Sequence, residues 1–152
     1  MDSAPPGRTR PVEVRLRGTF GDRMALRRSG TWGGEIRREF EPQPGEIVAL
    51  EEHGSSSGFA NTDLDLQLKK HSIHQLIVMG LIANTCVEAT VRYAAEPAYE
   101  VTVVKAATVS FSDEEMHAAL DINIPNYASA IVTTKEVVDS ISSLEALSRK
   151  AD

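Results

Sequence analysis

The sequence predicts an α/β fold, a layered sandwich in which helices flank a mostly parallel sheet. Three observations predict it. From Thr31 onward, apolar runs of strand length alternate with segments whose apolar residues recur at helical spacing. Glycine, proline and capping residues stand between them, where element ends need them. The run "HQLIVMG" is continuously apolar and ends in glycine, as expected of a parallel strand covered on both faces.

The elements follow in order. "PQPGEIVAL" places a turn at Pro44 and Gly45 and a strand over Ile47 to Leu50. "NTDLDLQLKKH" reads as a helix: Asn61 or Thr62 is the N-cap, acids occupy the first turn and lysines the last, and Leu64 and Leu68 stack at i,i+4. The apolar strand comes next. Beyond it Val87, Val91, Ala94 and Ala95 keep helical spacing until Pro97 ends the pattern. "YEVTVVKAA" is a further strand, and in "SDEE" Ser112 and Glu115 form a capping box for a helix through Met116 and Leu120. "SAIVTT" supplies the last strand. Thr134 then caps a helix carrying Val137, Val138, Ile141, Leu144 and Leu147.

Composition bounds the function. A chain of 152 residues makes one domain of ordinary size with a real core. One cysteine allows no intramolecular disulfide, and no apolar signal segment opens the chain, so a cytoplasmic setting is expected. No apolar stretch approaches the roughly 18 to 20 residues that cross a bilayer. A formal charge of -6 disfavours nucleic acid as a partner.

The charge is unevenly spread. Residues 1 to 30 hold seven arginines and no lysine against Asp2, Glu13 and Asp22, a balance of +4 that leaves -10 for the remainder. The expected organisation is an arginine-rich leader over residues 1–30, disordered or an aberrant start, followed by one domain over residues 31–152. A transit peptide and an anion-binding arm are the other readings.

In an open parallel sheet the ligand site lies beyond the carboxyl ends of the strands, and "GLIANTCVEAT" puts Cys86 there, in the turn that opens a helix. Free amides and the helix dipole at such a turn favour a thiolate and can hold an oxyanion. A small buried apolar residue is the competing reading.

The segments "SSGFANTDLDLQL", "LIVMGLIANTCVEATVRYAA", "YEVTVVKAAT" and "NYASAIVTTKEVV" resemble the isochorismatase-like superfamily of cysteine hydrolases. The resemblance runs from about Thr31 to Leu147. It implies a Rossmann-like three-layer sandwich, assembly into homo-oligomers, and hydrolysis of a small-molecule substrate through a Cys-Asp-Lys triad with a thioester intermediate. It makes Cys86 the nucleophile, the Ala83 and Cys86 amides the oxyanion hole, and the Ile82–Ala83 bond a site for a cis peptide. Retention of the cysteine implies an amide or other C–N substrate. No cofactor is implied, and no metal-binding cluster is seen in the sequence.

Two triad members depart from the pattern. The family lysine falls on His53, whose imidazole can still polarise a thiol. The family aspartate ends a central aliphatic strand, and nothing before Thr31 has that form, so this first central strand is expected to be missing. "VEVRLRGTFGD" alternates Val12, Val14 and Leu16 with charges, which suits a half-exposed strand. Asp22, Glu51, Glu52 and Asp63 are the substitutes available, and Ala106 stands where a further family aspartate is expected. "EPAY" replaces a glycine-containing turn. His71, His74 and His117 read as solvated, and Trp32 as a packing residue near the sheet edge. Two functions follow: a cysteine hydrolase of small amides, or a catalytically impaired, truncated relative acting as a binding or assembly partner.

Overall fold

The computed structural model describes residues 14–17, 37–50 and 56–150. Strands β1 (Val14–Arg17) and β2 (Ile47–Leu50) form a parallel pair with Val14 opposite Ile47. After α1 (Leu64–Lys70) come β3 (Gln75–Leu81), a wide turn over Ala83–Val87, α2 (Glu88–Ala95), β4 (Glu100–Val109), α3 (Asp113–His117), β5 (Ala130–Val132) and α4 (Thr134–Lys150). Strands β3, β4 and β5 make a second, all-parallel sheet in that order. The fold is α/β with a parallel sheet. Strand β1 lies within the arginine-rich segment.

Local chemistry explains the element ends. Gly45 closes the turn before β2 with φ +94°, a conformation that disfavours any side chain. Helix α1 starts one residue later than its sequence suggested: Asp63 is the N-cap, and Thr62 accepts from the Leu64 N–H through Oγ1 at 3.2 Å. Helix α2 ends in a Schellman arrangement. The Tyr99 N–H donates to the Ala94 carbonyl, and the Ala98 N–H to that of Ala95. Ala98 sits at φ +67°, at the position where glycine is usual. The final helix is capped by Thr133, not Thr134: Thr133 Oγ1 accepts from the Glu136 N–H, and the Glu136 carboxylate accepts from the Thr133 N–H at 2.7 Å.

The main sheet has two unlike faces. Leu76, Val78, Val101 and Val103 pack against Leu64, Leu68, Val87, Val91 and Ala94 from α1 and its following turn and helix, with Leu120 and Ile124 closing the core. On the other face α4 lies over Thr102 and Val132, with a cavity of about 250 Å³ lined also by Val137, Ile141 and Leu144 and, at its edge, Ile77. The layers are therefore helix, sheet, helix. Strand β3 differs from expectation. It is not covered on both faces: Ile77, Met79 and Leu81 are 49, 51 and 61% exposed. The reason is its place in the sheet, since among the described strands β3 pairs with β4 alone.

The β3–β4 register breaks near the site. Val78 pairs with Val103 but Gly80 with Thr108, so β4 bulges between them. Thr108, buried, closes the bulge by donating from Oγ1 to the Val104 carbonyl at 2.9 Å. Gly80 takes φ +133° with open space where a Cβ would stand, so conformation and not crowding calls for glycine there.

Candidate active site

The chain leaves the carboxyl end of β3 through a non-proline cis bond between Leu81 and Ile82. The expected position was Ile82–Ala83, and the bond lies one residue earlier; three consecutive apolar residues gave the sequence no means of choosing between them. Residues Ala83–Val87 then form a π-type turn, in which the Val87 N–H reaches the Ile82 carbonyl at 3.1 Å. Ala83 is fully buried under this turn, while Cys86 is half-buried.

Cys86 is held from two sides. Thr85 Oγ1 lies 3.7 Å from its Sγ. Thr90, one helical turn on, donates from Oγ1 to the Cys86 carbonyl at 2.7 Å and accepts from the Gly58 N–H at 2.9 Å. The second contact ties the loop around Gly58 to the cysteine turn across 32 positions of sequence. Phe59, buried in that loop, stacks on Tyr93 of α2 with ring centres 5.2 Å apart.

Among the described residues, none of the other candidates is hydrogen-bonded to the sulfur. His53, Glu51, Glu52, Asp22 and Trp32 lie outside the described residues. Asp63 accepts from Gln67 Nε2 at 2.8 Å, within its own helix. His71 and His74 are exposed. His117 Nδ1 is 3.0 Å from Asp121, whose other oxygen takes Lys105 Nζ at 2.6 Å. The hydrogen bond from Lys105 first, then the contact with His117, hold the Asp121 carboxyl below its ordinary range. Ala106 is exposed on the β4 bulge.

A polar cluster at the same end of the sheet has no periodic signal in the sequence. Ser110, just past β4, has its Oγ 2.7 Å from Glu115 Oε2 and 2.9 Å from Asn84 Oδ1. Glu115 also accepts from the Phe111 N–H at 3.0 Å. The Ser110 hydroxyl and this amide lower the Glu115 carboxyl, partial burial opposes them, and Asn84 adds to the lowering. Asn84 belongs to the cysteine turn, so the cluster joins that turn to the start of α3. Glu115 had a sequence signal as the capping-box acid, and the Ser112 half of the box forms, with its Oγ accepting from the Glu115 N–H at 3.2 Å. Only the carboxylate's outward reach to Ser110 was not legible.

Among the described residues, no group of three or more His, Cys, Asp and Glu side chains is placed to hold a metal ion. No helix among them is long and apolar enough to cross a membrane.

Residues 16–136 match the isochorismatase domain family. The ureidoacrylate amidohydrolase RutB of Pantoea ananatis is 32% identical over 142 residues, which cover 89% of this chain and 56% of that protein. The RutB of Caulobacter segnis is 34% identical over 107 residues, covering 70% of this chain and 44% of its own length. The chain thus spans about half the length of the curated relatives it matches. Among solved structures, an isochorismatase-like hydrolase from Alkaliphilus metalliredigens superposes with a TM-score of 0.73 at 27% identity, over 84% of this chain and 69% of the other.

Proposed function

Because the chain belongs to the isochorismatase family, we propose that it acts as a cysteine hydrolase on a small amide or other C–N substrate. The Cys86 thiolate attacks the carbonyl carbon, and the Ala83 and Cys86 amides receive the oxyanion. The C–N bond breaks, the amine leaves carrying the proton that the thiol gave up, and a thioester remains on Sγ. Water hydrolyses that thioester to the acid and returns the thiol. His53 is assigned the polarising role that a lysine has in the family.

The observation that carries the reading is the position of Cys86, half-buried in a turn between a parallel strand's carboxyl end and a helix start. The amide substrates named for RutB relatives agree with it. The reaction needs no cofactor and no metal, and no nucleic acid or membrane enters it. We place the protein in the cytoplasm as a homo-oligomer, the half-exposed row Ile77, Met79 and Leu81 on β3 being suited to contact with a second copy. The arginine-rich residues 1–30 are assigned as a leader to the domain over residues 31–152, except for Val14–Arg17, which pair with β2, and the family match begins at residue 16.

A second reading, an impaired relative serving as a binding or assembly partner, is favoured by the sulfur's surroundings. Among the described residues no lysine, aspartate or histidine is hydrogen-bonded to Cys86; the neighbour is a threonine hydroxyl. Acid-quenched intact-mass measurement after incubation with simple N-carbamoyl compounds or nicotinamide separates the two. The hydrolase reading expects an acyl adduct that vanishes in Cys86→Ala. No adduct and no Cys86-dependent product favours the second.

A further inference from the structure

We propose that Glu115 and Ser110 are positioning residues for the cysteine turn, acting through Asn84. The inference rests on the reading of Cys86 as the nucleophile. Asn84 lies between the two amides assigned to the oxyanion, and a peptide turn that must present both needs its own orientation fixed. In the turn, the Thr85 and Val87 N–H groups bind back to the Ile82 carbonyl, which anchors the turn at its start. The Asn84 side chain supplies an anchor on its far side: its Oδ1, at 2.9 Å, and Glu115 Oε2, at 2.7 Å, share the single proton of the Ser110 hydroxyl.

Glu115 is in turn fixed by backbone, through the Phe111 N–H at 3.0 Å and its own N–H on the Ser112 cap. The chain of contacts therefore runs from the first turn of α3, across the carboxyl end of β4, to the turn behind β3. These are adjacent parallel strands. Asn84 and Ser110 each stand at a strand's carboxyl edge, where an α/β sheet does its chemistry. The cluster is not a cap alone. A capping acid needs only the helix amides, whereas this carboxylate also takes the hydroxyl that touches Asn84.

Charge and position are separable here, which gives the test its sign. Removing the Glu115 charge while keeping its acceptor leaves the anchor in place, so alkylation of Cys86 is not slowed. Loss of the anchor slows it, because the turn amides no longer converge. The measurement is the pseudo-first-order rate of iodoacetamide alkylation of Cys86 across pH 6 to 9, on the full chain, with circular dichroism confirming the fold. Glu115→Gln keeps an acceptor for Ser110 and Phe111 and is expected to react as fast as the unaltered chain or faster. Glu115→Ala and Ser110→Ala are each expected to react about three- to tenfold more slowly at pH 7. If one alanine variant does not fold, the other carries the test.

Equal rates in the unaltered chain and the alanine variants overturn the positioning role, and so does a rise in both Glu115 variants, which assigns the carboxylate a charge effect only. A rate in the unaltered chain no greater than that of an unstructured cysteine peptide overturns the nucleophile reading and this role with it.

Discussion

The hydroxyl of Thr90 bridges the Cys86 carbonyl, at 2.7 Å, and the Gly58 N–H, at 2.9 Å. A single side chain on α2 thus sets the distance between the cysteine turn and the loop that follows residues 51–55. Replacing it with Thr90→Val keeps the shape and leaves the Gly58 amide, which is buried, without its acceptor. The expected loss is about 1 to 3 kcal/mol in urea unfolding. Thr90→Ser, which keeps the hydroxyl, is expected to recover most of it.

Ala98 holds a left-handed conformation at φ +67° in the Schellman end of α2. Left-handed backbone costs a residue with a Cβ about 1 to 2 kcal/mol, part of which glycine returns through its greater freedom in the unfolded chain. Ala98→Gly is therefore expected to raise the unfolding midpoint, with a gain of about 1 kcal/mol. A drop would show that the turn is not strained as its backbone indicates.

Tyr99 is buried with its hydroxyl 2.9 Å from Asp65 Oδ1, and burial followed by this carboxylate pushes its pKa from 10.0 up to about 12. The folded state thus holds the phenolic proton more tightly than the unfolded one. The stability this confers is complete below about pH 10 and is lost as pH rises through about 12. Thermal midpoints measured from pH 9 to 12 are expected to fall more steeply in the unaltered chain than in Tyr99→Phe.

Strand β3 carries no charge and no proline, and presents Ile77, Met79 and Leu81 half-exposed. Such a strand invites association. Met79→Lys is expected to lower concentration-dependent light scattering while leaving the thermal midpoint nearly unchanged. Unaltered association would place the contact elsewhere.

Most of the fold was legible because periodicity and turn chemistry are local. The runs at Ile47–Leu50, Gln75–Leu81 and Glu100–Val109 are strands, and the stripe Val87, Val91 and Ala94 faces the core. The exposure of β3 was not legible. A continuous apolar run looks the same whether its neighbours cover it or not, and which strands adjoin it is a non-local fact. The caps slipped by one residue, Thr62 to Asp63 and Thr134 to Thr133, because neighbouring polar residues compete for the same amides. Within the candidate site, the placement of Cys86 at a strand's carboxyl end followed from the alternation of elements. The Ser110–Asn84 contact joins residues 26 positions apart and had no sequence period to mark it.

The central claim, that Cys86 is a nucleophile and not a packing residue, is tested most directly by its alkylation rate. With iodoacetamide at pH 7, the folded chain is expected to react several-fold faster than a peptide spanning residues 83–90, because the turn that presents the sulfur exists only in the fold. A rate equal to or below that of the peptide would contradict the account and return Cys86 to the role of a small apolar residue at a helix start.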